Sequence, residues 1–297
     1  MDAPGEAVSE GACKGDTKER SRVAWYGGSM PYTQRDGVRI FFDTHGDGPP
    51  LLLCPGLGSL MEHWGDAIAA FSPYYRVIVF DPRGGPESDS PAGNYSMRDL
   101  AEDAVAVLDA VAVERTHVYG ISMGGHIAQQ LALDHPDRVR SLVLVVSSDR
   151  TSEVSKERLR VWRDARRLSI ELYARAVGYA IFGEELFAKP LWVEGWRRRS
   201  VQDEQRWNPQ GLEGRLAACL AYDTSSRSSE IRCPTLLVAG RRDLCILPHE
   251  SEAHAARIPG AQYVLLDVAH VIADQDAQEL NARVLAFLAH CPAEAAS

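Results

Sequence analysis

One serine in the middle of the chain lies between glycines, at the spacing that exposes a nucleophile. The segment Gly120-Ile121-Ser122-Met123-Gly124 has the pattern G-x-S-x-G, with an apolar run before it and apolar residues at helical spacing after it. A sharp strand–turn–helix would lift the Ser122 hydroxyl clear of a sheet. It would also leave the N–H of Met123 unpaired at a helix N-terminus, where an oxyanion would form. The pattern predicts a nucleophilic serine; the alternative is an ordinary glycine-rich turn.

A serine hydroxyl is a weak nucleophile at neutral pH, so it needs a base that is itself oriented by a carboxylate. Asp243 follows the strand candidate 234–240, and His270 follows the strand candidate 262–268. Asp149, which follows the candidate 141–146, is the competing acid. We expect His270 to take the proton from Ser122 while Asp243 holds the imidazole.

The elements around these residues alternate between strand and helix. Apolar strand candidates at 38–44, 51–54 and 76–80 precede the serine turn, and helical periodicity follows at 100–111. This alternation predicts an α/β fold with a parallel sheet and helices on both faces. Active groups of such sheets gather at the carboxyl ends of the strands. The glycine-rich turn after 51–54 would bring the N–H of Leu57 there as a second oxyanion donor.

The segment from Asp149 to about Glu230 contains no β-like run, and its pattern is helical and highly charged. It predicts a helical cap, or lid, over the strand ends. Charges of both signs are interspersed, which indicates solvated helix faces. Its tryptophans are candidates either for an apolar substrate-binding wall or for packing within the lid; they are Trp162, Trp192, Trp196 and Trp207.

The composition is that of an ordinary globular protein, with 297 residues, 45% hydrophobic, 25% charged and a net charge of −9. The negative charge gives no reason to expect nucleic acid or an anionic membrane as a partner. No apolar run approaches the roughly 20 residues of a membrane span. The six cysteines form no CxxC motif and the nine histidines show no metal-ligand spacing, so we expect free thiols and no metal.

The chain divides into three predicted regions. Residues 1–24 are rich in small and charged residues and lack the basic and then apolar pattern of a secretory signal. We therefore expect a disordered tail and a cytoplasmic protein. A core would be formed by 25–148 and 231–297, and the cap by 149–230. The oligomeric state stays open, with a homodimer among the options.

Three motifs resemble the α/β-hydrolase superfamily, in its serine-nucleophile branch with a helical cap. They are the turn Gly120–Gly125 (GISMGG), the strand and loop Val77–Asp89 (VIVFDPRGGPESD), and the segment Pro234–Asp243 (PTLLVAGRRD). The resemblance covers roughly Tyr32 to Leu288. It implies a mostly parallel eight-stranded sheet and a triad of Ser122, Asp243 and His270. One departure is Pro55-Gly56, where the family usually has His-Gly.

The expected function is hydrolysis of a small-molecule carboxylic ester or lactone through an acyl-enzyme, with no cofactor. Within the resembling superfamily the same serine turn serves carbon–carbon bond hydrolases and acyltransferases, which remain alternatives because fold and turn do not define a substrate. A non-catalytic ligand-binding protein of the same fold is a third alternative. The complete set of serine, aspartate and histidine argues against it.

Overall fold

A single eight-stranded sheet forms the centre of the described part of the chain. The computed structural model describes residues 31–272 and 274–291. The strands lie in the order β1-β2-β4-β3-β5-β6-β7-β8. Their bounds are β1 (Tyr32–Arg35), β2 (Val38–His45), β3 (Pro50–Cys54), β4 (Arg76–Asp81), β5 (Thr116–Ile121), β6 (Val139–Val145), β7 (Thr235–Gly240) and β8 (Gln262–Leu266).

Every neighbouring pair from β4 to β8 is parallel, whereas β1 and β2 add an antiparallel edge. This confirms the predicted mostly parallel eight-stranded α/β sheet. The central strands are almost wholly apolar because both of their faces are covered. The sequence pattern did not indicate β1. Its four residues, YTQR, show no apolar alternation, and the strand is held by pairing with β2 and by Arg39, whose guanidinium lies 5.1 Å from the Tyr32 ring centre.

Five helices of the described chain pack on the sheet, and a capping box of Ser96 and Asp99 begins the second of them. The second and third helices pack on each other, as do the first and the last. Their bounds are α1 (Gly65–Phe71), α2 (Met97–Ala110), α3 (Met123–Asp134), α9 (Pro248–Arg257) and α10 (Asp274–Ala289).

Between β6 and β7 the described residues form five further helices, here called the helical insertion. They are α4 (Glu153–Leu168), α5 (Ile170–Ile181), α6 (Glu184–Phe187), α7 (Pro190–Glu204) and α8 (Pro209–Ala221). Ser152, Ser169 and Asn208 cap the first turns of α4, α5 and α8. Arg215 of α8 is fully buried and pairs with Asp81 at the end of β4 (2.7 Å), so the insertion is bound to the sheet by a buried ion pair.

No helix within 31–272 and 274–291 is long and apolar enough to cross a membrane. The cysteines of these residues are free thiols, at Cys54, Cys219, Cys233, Cys245 and Cys291. The predicted tail at 1–24, with Cys13, lies outside the described residues.

Candidate active site

Ser122 alone makes the turn between β5, which ends at Ile121, and α3, which begins at Met123. Its φ of 54° lies in the left-handed region, which a non-glycine residue adopts only where the surroundings hold it. Glycines on both sides leave the necessary room. A Cβ on Gly120 would collide with the backbone of Gly124, and one on Gly124 would collide with the backbone at the end of β3.

The side chains of Ser122, His270 and Asp243 form one continuous hydrogen-bond chain. The Oγ of Ser122 lies 3.0 Å from Nε2 of His270, and Nδ1 of His270 lies 2.8 Å from Oδ2 of Asp243. Because a carboxylate oxygen accepts, Nδ1 carries the imidazole proton and Nε2 is free to accept from the serine hydroxyl. Asp243 is fully buried and His270 is 11% exposed. This arrangement can remove the serine proton during attack on a carbonyl carbon.

Parallel strand ends bring the three residues to one edge of the sheet. Ile121 of β5 pairs with Val145 of β6, and Gly240 of β7 pairs with Leu266 of β8, so the loops beyond these residues lie side by side. Asp243 is further fixed within its own loop. Its Oδ1 accepts from the N–H groups of the residues two and three positions later, at 2.6 and 3.0 Å.

Asp149, the competing acid, is engaged elsewhere. Its carboxylate binds the guanidinium of Arg257 on α9 at 2.6 and 2.8 Å. It also accepts from the hydroxyl of Ser228 at 3.0 Å. Both of its oxygens are therefore occupied by groups other than His270.

The N–H groups of Leu57 and Met123 remain the predicted oxyanion donors. A Cβ on Gly56 would lie 3.5 Å from the Cβ of Ser122, so the loop that carries Leu57 passes beside the serine. Met123 is the first residue of α3, where an N–H has no acceptor within the helix. In the part of the chain that the structure describes, neither N–H donates to a carbonyl of a turn or loop.

A small, partly open cavity lies between the Leu57 loop and the helical insertion. Ser122 is not among the residues that line it. Leu57 lines the cavity, and its chain neighbour Gly56 lies beside Ser122. The lining consists of Leu57, Leu212, Leu216, Trp162 and Tyr173, together with the charged side chains Arg163, Arg166 and Glu213.

The predicted wall of tryptophans is not one surface. Trp162 lines the cavity. Trp192 and Trp196 pack edge-on against Phe182, with ring centres 4.9 and 4.8 Å apart. Trp207 is buried in a small apolar cluster near Leu57, and the guanidinium of the buried Arg215 lies 5.0 Å from its ring centre. Only Trp162 among these four lines the described cavity.

One group of three potential metal ligands occurs in the described chain. Asp243, Cys245 and His270 each offer one ligand atom, and these atoms lie within 4.8 Å of one another. Burial, together with the nearby Asp243 carboxylate, raises the pKa of the Cys245 thiol to about 12. Without a metal ion the thiol is therefore protonated at neutral pH, and a metal would have to displace its proton to bind the sulfur. Both nitrogens of His270 are engaged by Ser122 and Asp243, so the geometry suits proton transfer better than metal binding.

The sequence pattern did not indicate a role for Ser147. Its hydroxyl donates to the carbonyl oxygen of Ser122 at 3.0 Å and so supports the turn from behind. It follows Val146, whose φ of 44° is unusual for a β-branched residue. The sequence shows only that Ser147 follows the strand next to β5. A serine in such a position need not contact the turn of the nucleophile.

Known proteins resemble this chain over most of its length. A family model described as alpha/beta hydrolase fold matches residues 49–277. A relative from Azorhizobium caulinodans named carbamate hydrolase RutD is 30% identical over 270 residues, which cover 87% of this chain and 98% of that one. The crystal structure of an enol-lactonase from Burkholderia xenovorans LB400 is 27% identical, with a TM-score of 0.78, and covers 88% of this chain and 100% of its own. An esterase from Thermogutta terrifontis is 25% identical, with a TM-score of 0.77 and coverage of 88% and 98%.

Proposed function

This chain belongs to the α/β-hydrolase fold family, and from that premise we propose that it hydrolyses a carboxylic ester or lactone with Ser122 as the nucleophile. The observation that carries the proposal is the hydrogen-bond chain from Ser122 through His270 to Asp243, with links of 3.0 and 2.8 Å. The similarity to an enol-lactonase and an esterase supports the substrate class.

The proposed reaction begins with attack of Ser122 Oγ on the substrate carbonyl carbon, while Nε2 of His270 takes the hydroxyl proton. The negative charge then moves to the carbonyl oxygen, which the N–H groups of Leu57 and Met123 would bind. As the C–O bond to the leaving group breaks, the imidazolium returns its proton to the departing alkoxide. Asp243 holds the imidazole in one tautomer and stabilises the imidazolium. Water activated by His270 then releases the acid from the acyl-enzyme.

The helical insertion would serve as the lid of this site. The cavity beside Leu57 is lined by residues of α4, α5 and α8, and five of its eight lining residues are aliphatic or aromatic. Such a lining suits an apolar part of an ester and keeps bulk water from the acyl-enzyme. The chemistry would then depend on the strand-end loops, and substrate selection on the insertion.

Replacing Ser122 by alanine tests the proposal. With p-nitrophenyl acetate, Ser122→Ala should lower kcat by about 10⁶-fold, as the loss of the nucleophile does in comparable triads. A fluorophosphonate probe should label the wild type and leave the variant unlabelled. A residual rate within about tenfold of the wild type would remove Ser122 as the nucleophile, and failure of the wild type to react with the probe would favour a non-catalytic ligand-binding protein.

A carbamate is the second candidate substrate, because a relative that matches 87% of this chain is named a carbamate hydrolase. The same site could attack a carbamate carbonyl, with ammonia or an amine as the leaving group. Comparing kcat/KM for a carboxylic ester and a carbamate ester that carry the same alcohol group would rank the two. Product analysis in ¹⁸O-labelled water with added alcohol would distinguish hydrolysis from acyl transfer, and a 1,3-diketone substrate would detect carbon–carbon cleavage.

A further inference from the structure

The loops that follow β7 and β8 are hydrogen-bonded to the helical insertion beside the site. The N–H of Val271, the residue after His270, donates to the carbonyl oxygen of Ile181 at the end of α5 (3.0 Å). The carbonyl oxygen of Ala180 accepts from the thiol of Cys245 (3.5 Å). The insertion therefore contacts the loop of the base and the loop of the acid.

Arg158 of α4 makes the most specific of these contacts. Its Nη1 donates to the carbonyl oxygen of Leu244 (2.9 Å), and its Nη2 donates to that of Cys245. The same two peptide groups donate their N–H, which belong to Cys245 and Ile246, to Oδ1 of Asp243 at 2.6 and 3.0 Å. Two consecutive peptide groups thus bind Arg158 through their oxygens and Asp243 through their nitrogens.

The two peptide groups between Arg158 and Asp243 affect the strength of the hydrogen bonds to Asp243 as well as their direction. A cation at a carbonyl oxygen polarises the peptide group and makes its N–H a stronger donor, because hydrogen bonds in series reinforce one another. Both peptide groups hold Oδ1 of Asp243. The second oxygen, Oδ2, is thereby directed to Nδ1 of His270, 2.8 Å away.

Arg158 differs in this respect from its neighbours. Each of the four other arginines of α4 has a carboxylate oxygen within 3.1 Å. Arg158 has no carboxylate partner in the described residues, and its further contacts are the hydroxyl of Ser155 (3.0 Å) and the ring of Trp162, whose centre lies 5.7 Å from Cζ. The position of this guanidinium is therefore explained by the carbonyl oxygens of the acid loop and not by a surface ion pair.

We propose that Arg158 is a positioning residue for the reaction, acting from the helical insertion through two peptide groups on Asp243 and so on His270. The inference rests on the proposed function and adds that the insertion takes part in aligning the catalytic groups. It follows that losing the guanidinium should weaken the chemical step while leaving ground-state substrate binding largely intact.

The test compares Arg158→Met, Arg158→Lys and the control Arg160→Met, which removes an exposed arginine of the same helix. For each variant, kcat and KM are measured with p-nitrophenyl acetate, and the low-field proton resonance of His270 Nδ1–H is recorded by NMR. Arg158→Met should lower kcat by about 10- to 100-fold, with KM changed by less than about threefold, and should move the resonance. Arg158→Lys should lie in between, because an ammonium group lacks the planar fork that matches two carbonyls. Arg160→Met should match the wild type.

An unmoved resonance in folded Arg158→Met overturns the inference, and so does a wild-type kcat. If Arg158→Met does not fold, the same two measurements on Arg158→Lys decide, with wild-type values for both again overturning it. A wild-type protein that turns over no ester would overturn the proposed function instead. The resonance would still test the role of Arg158, since recording it requires no substrate.

Discussion

Replacing Asp243 by asparagine should move the imidazole proton of His270 to Nε2, the nitrogen that faces Ser122. Oδ1 of Asp243 accepts from two backbone N–H groups, at 2.6 and 3.0 Å, so the amide oxygen of an asparagine must occupy that position. The amide NH₂ then faces Nδ1 of His270, where Oδ2 now lies at 2.8 Å. Two donors cannot face each other, so Nδ1 must lose its proton and Nε2 must carry it.

The magnitude follows from this tautomer. A protonated Nε2 cannot accept from the hydroxyl of Ser122, and the same substitution in a serine-protease triad costs about 10⁴ in kcat. That loss is about 5.5 kcal/mol of transition-state stabilisation. Asp149→Asn should behave differently because Asp149 binds Arg257 and Ser228. Its kcat should stay within about threefold of the wild type, and its stability should fall by about 1–3 kcal/mol.

The assay measures kcat and KM with p-nitrophenyl acetate for both variants and follows thermal unfolding by circular dichroism. We expect the two variants to lose different properties. Asp243→Asn loses turnover and keeps its melting temperature, whereas Asp149→Asn keeps turnover and melts earlier. The reverse ranking of kcat would refute this reasoning and move the acid to the loop after β6.

Two further predictions concern the lid and the buried histidines. Trp162→Ala should raise KM for a bulky ester and leave p-nitrophenyl acetate turnover within a few-fold of the wild type. Trp207→Ala should instead lower the melting temperature, through a loss of about 3–5 kcal/mol in the free energy of unfolding. An unchanged ratio of the activities on the bulky ester and on p-nitrophenyl acetate in Trp162→Ala would exclude Trp162 from the pocket wall. Burial lowers the pKa of His126 to about 3 and that of His254 to about 4, so the unfolded state binds more protons below its own pKa of about 6.5. Stability is therefore full above about pH 6.5 and is lost as the pH falls, by about 2 kcal/mol per histidine at pH 5. His126→Phe keeps a ring against Tyr222 and should remove about half of the stability loss that the two histidines cause. Urea unfolding at pH 8 and pH 5 measures this loss, and a pH dependence equal to that of the wild type would contradict the role of His126.

The sheet and the place of the catalytic candidates could be predicted from the sequence because both depend on local patterns. Short apolar runs separated by helical periodicity are sufficient to indicate a parallel α/β sheet. Once strands are parallel, residues that directly follow them must meet at one edge, as Ser122, Asp243 and His270 do. The choice of Asp243 over Asp149 is weaker at the level of sequence, since both follow strands near β5. It is the pairing of Asp149 with Arg257 that separates the two in the structure.

What could not be predicted depends on contacts between segments far apart in the chain. The four tryptophans all lie in the same stretch between β6 and β7, yet only Trp162 lines the described cavity. The difference arises from how α5 and α7 pack, with Phe182 between Trp192 and Trp196. Arg158 likewise looks like one arginine among several on a charged helix. Its contact with the acid loop spans 86 and 87 residues of sequence and leaves no local signal.

These long-range contacts matter because the fold places candidate catalytic residues on loops. The loops after β7 and β8 carry two of the three candidate catalytic side chains, and loops have the lowest local stability of a domain. Proton transfer from Ser122 to His270 nevertheless requires geometry held to about 0.5 Å. The helical insertion follows β6, and β6 lies between β5 and β7 in the sheet. Its first two helices, α4 and α5, therefore lie within reach of the loops after β7 and β8. An insertion at this point can therefore enclose an apolar cavity with one face and brace the acid loop with another. Under the roles proposed here for Arg158 and Trp162, both functions would depend on helix α4. Exchange of the helical insertion should then impair the reaction more than in a hydrolase whose lid only selects the substrate.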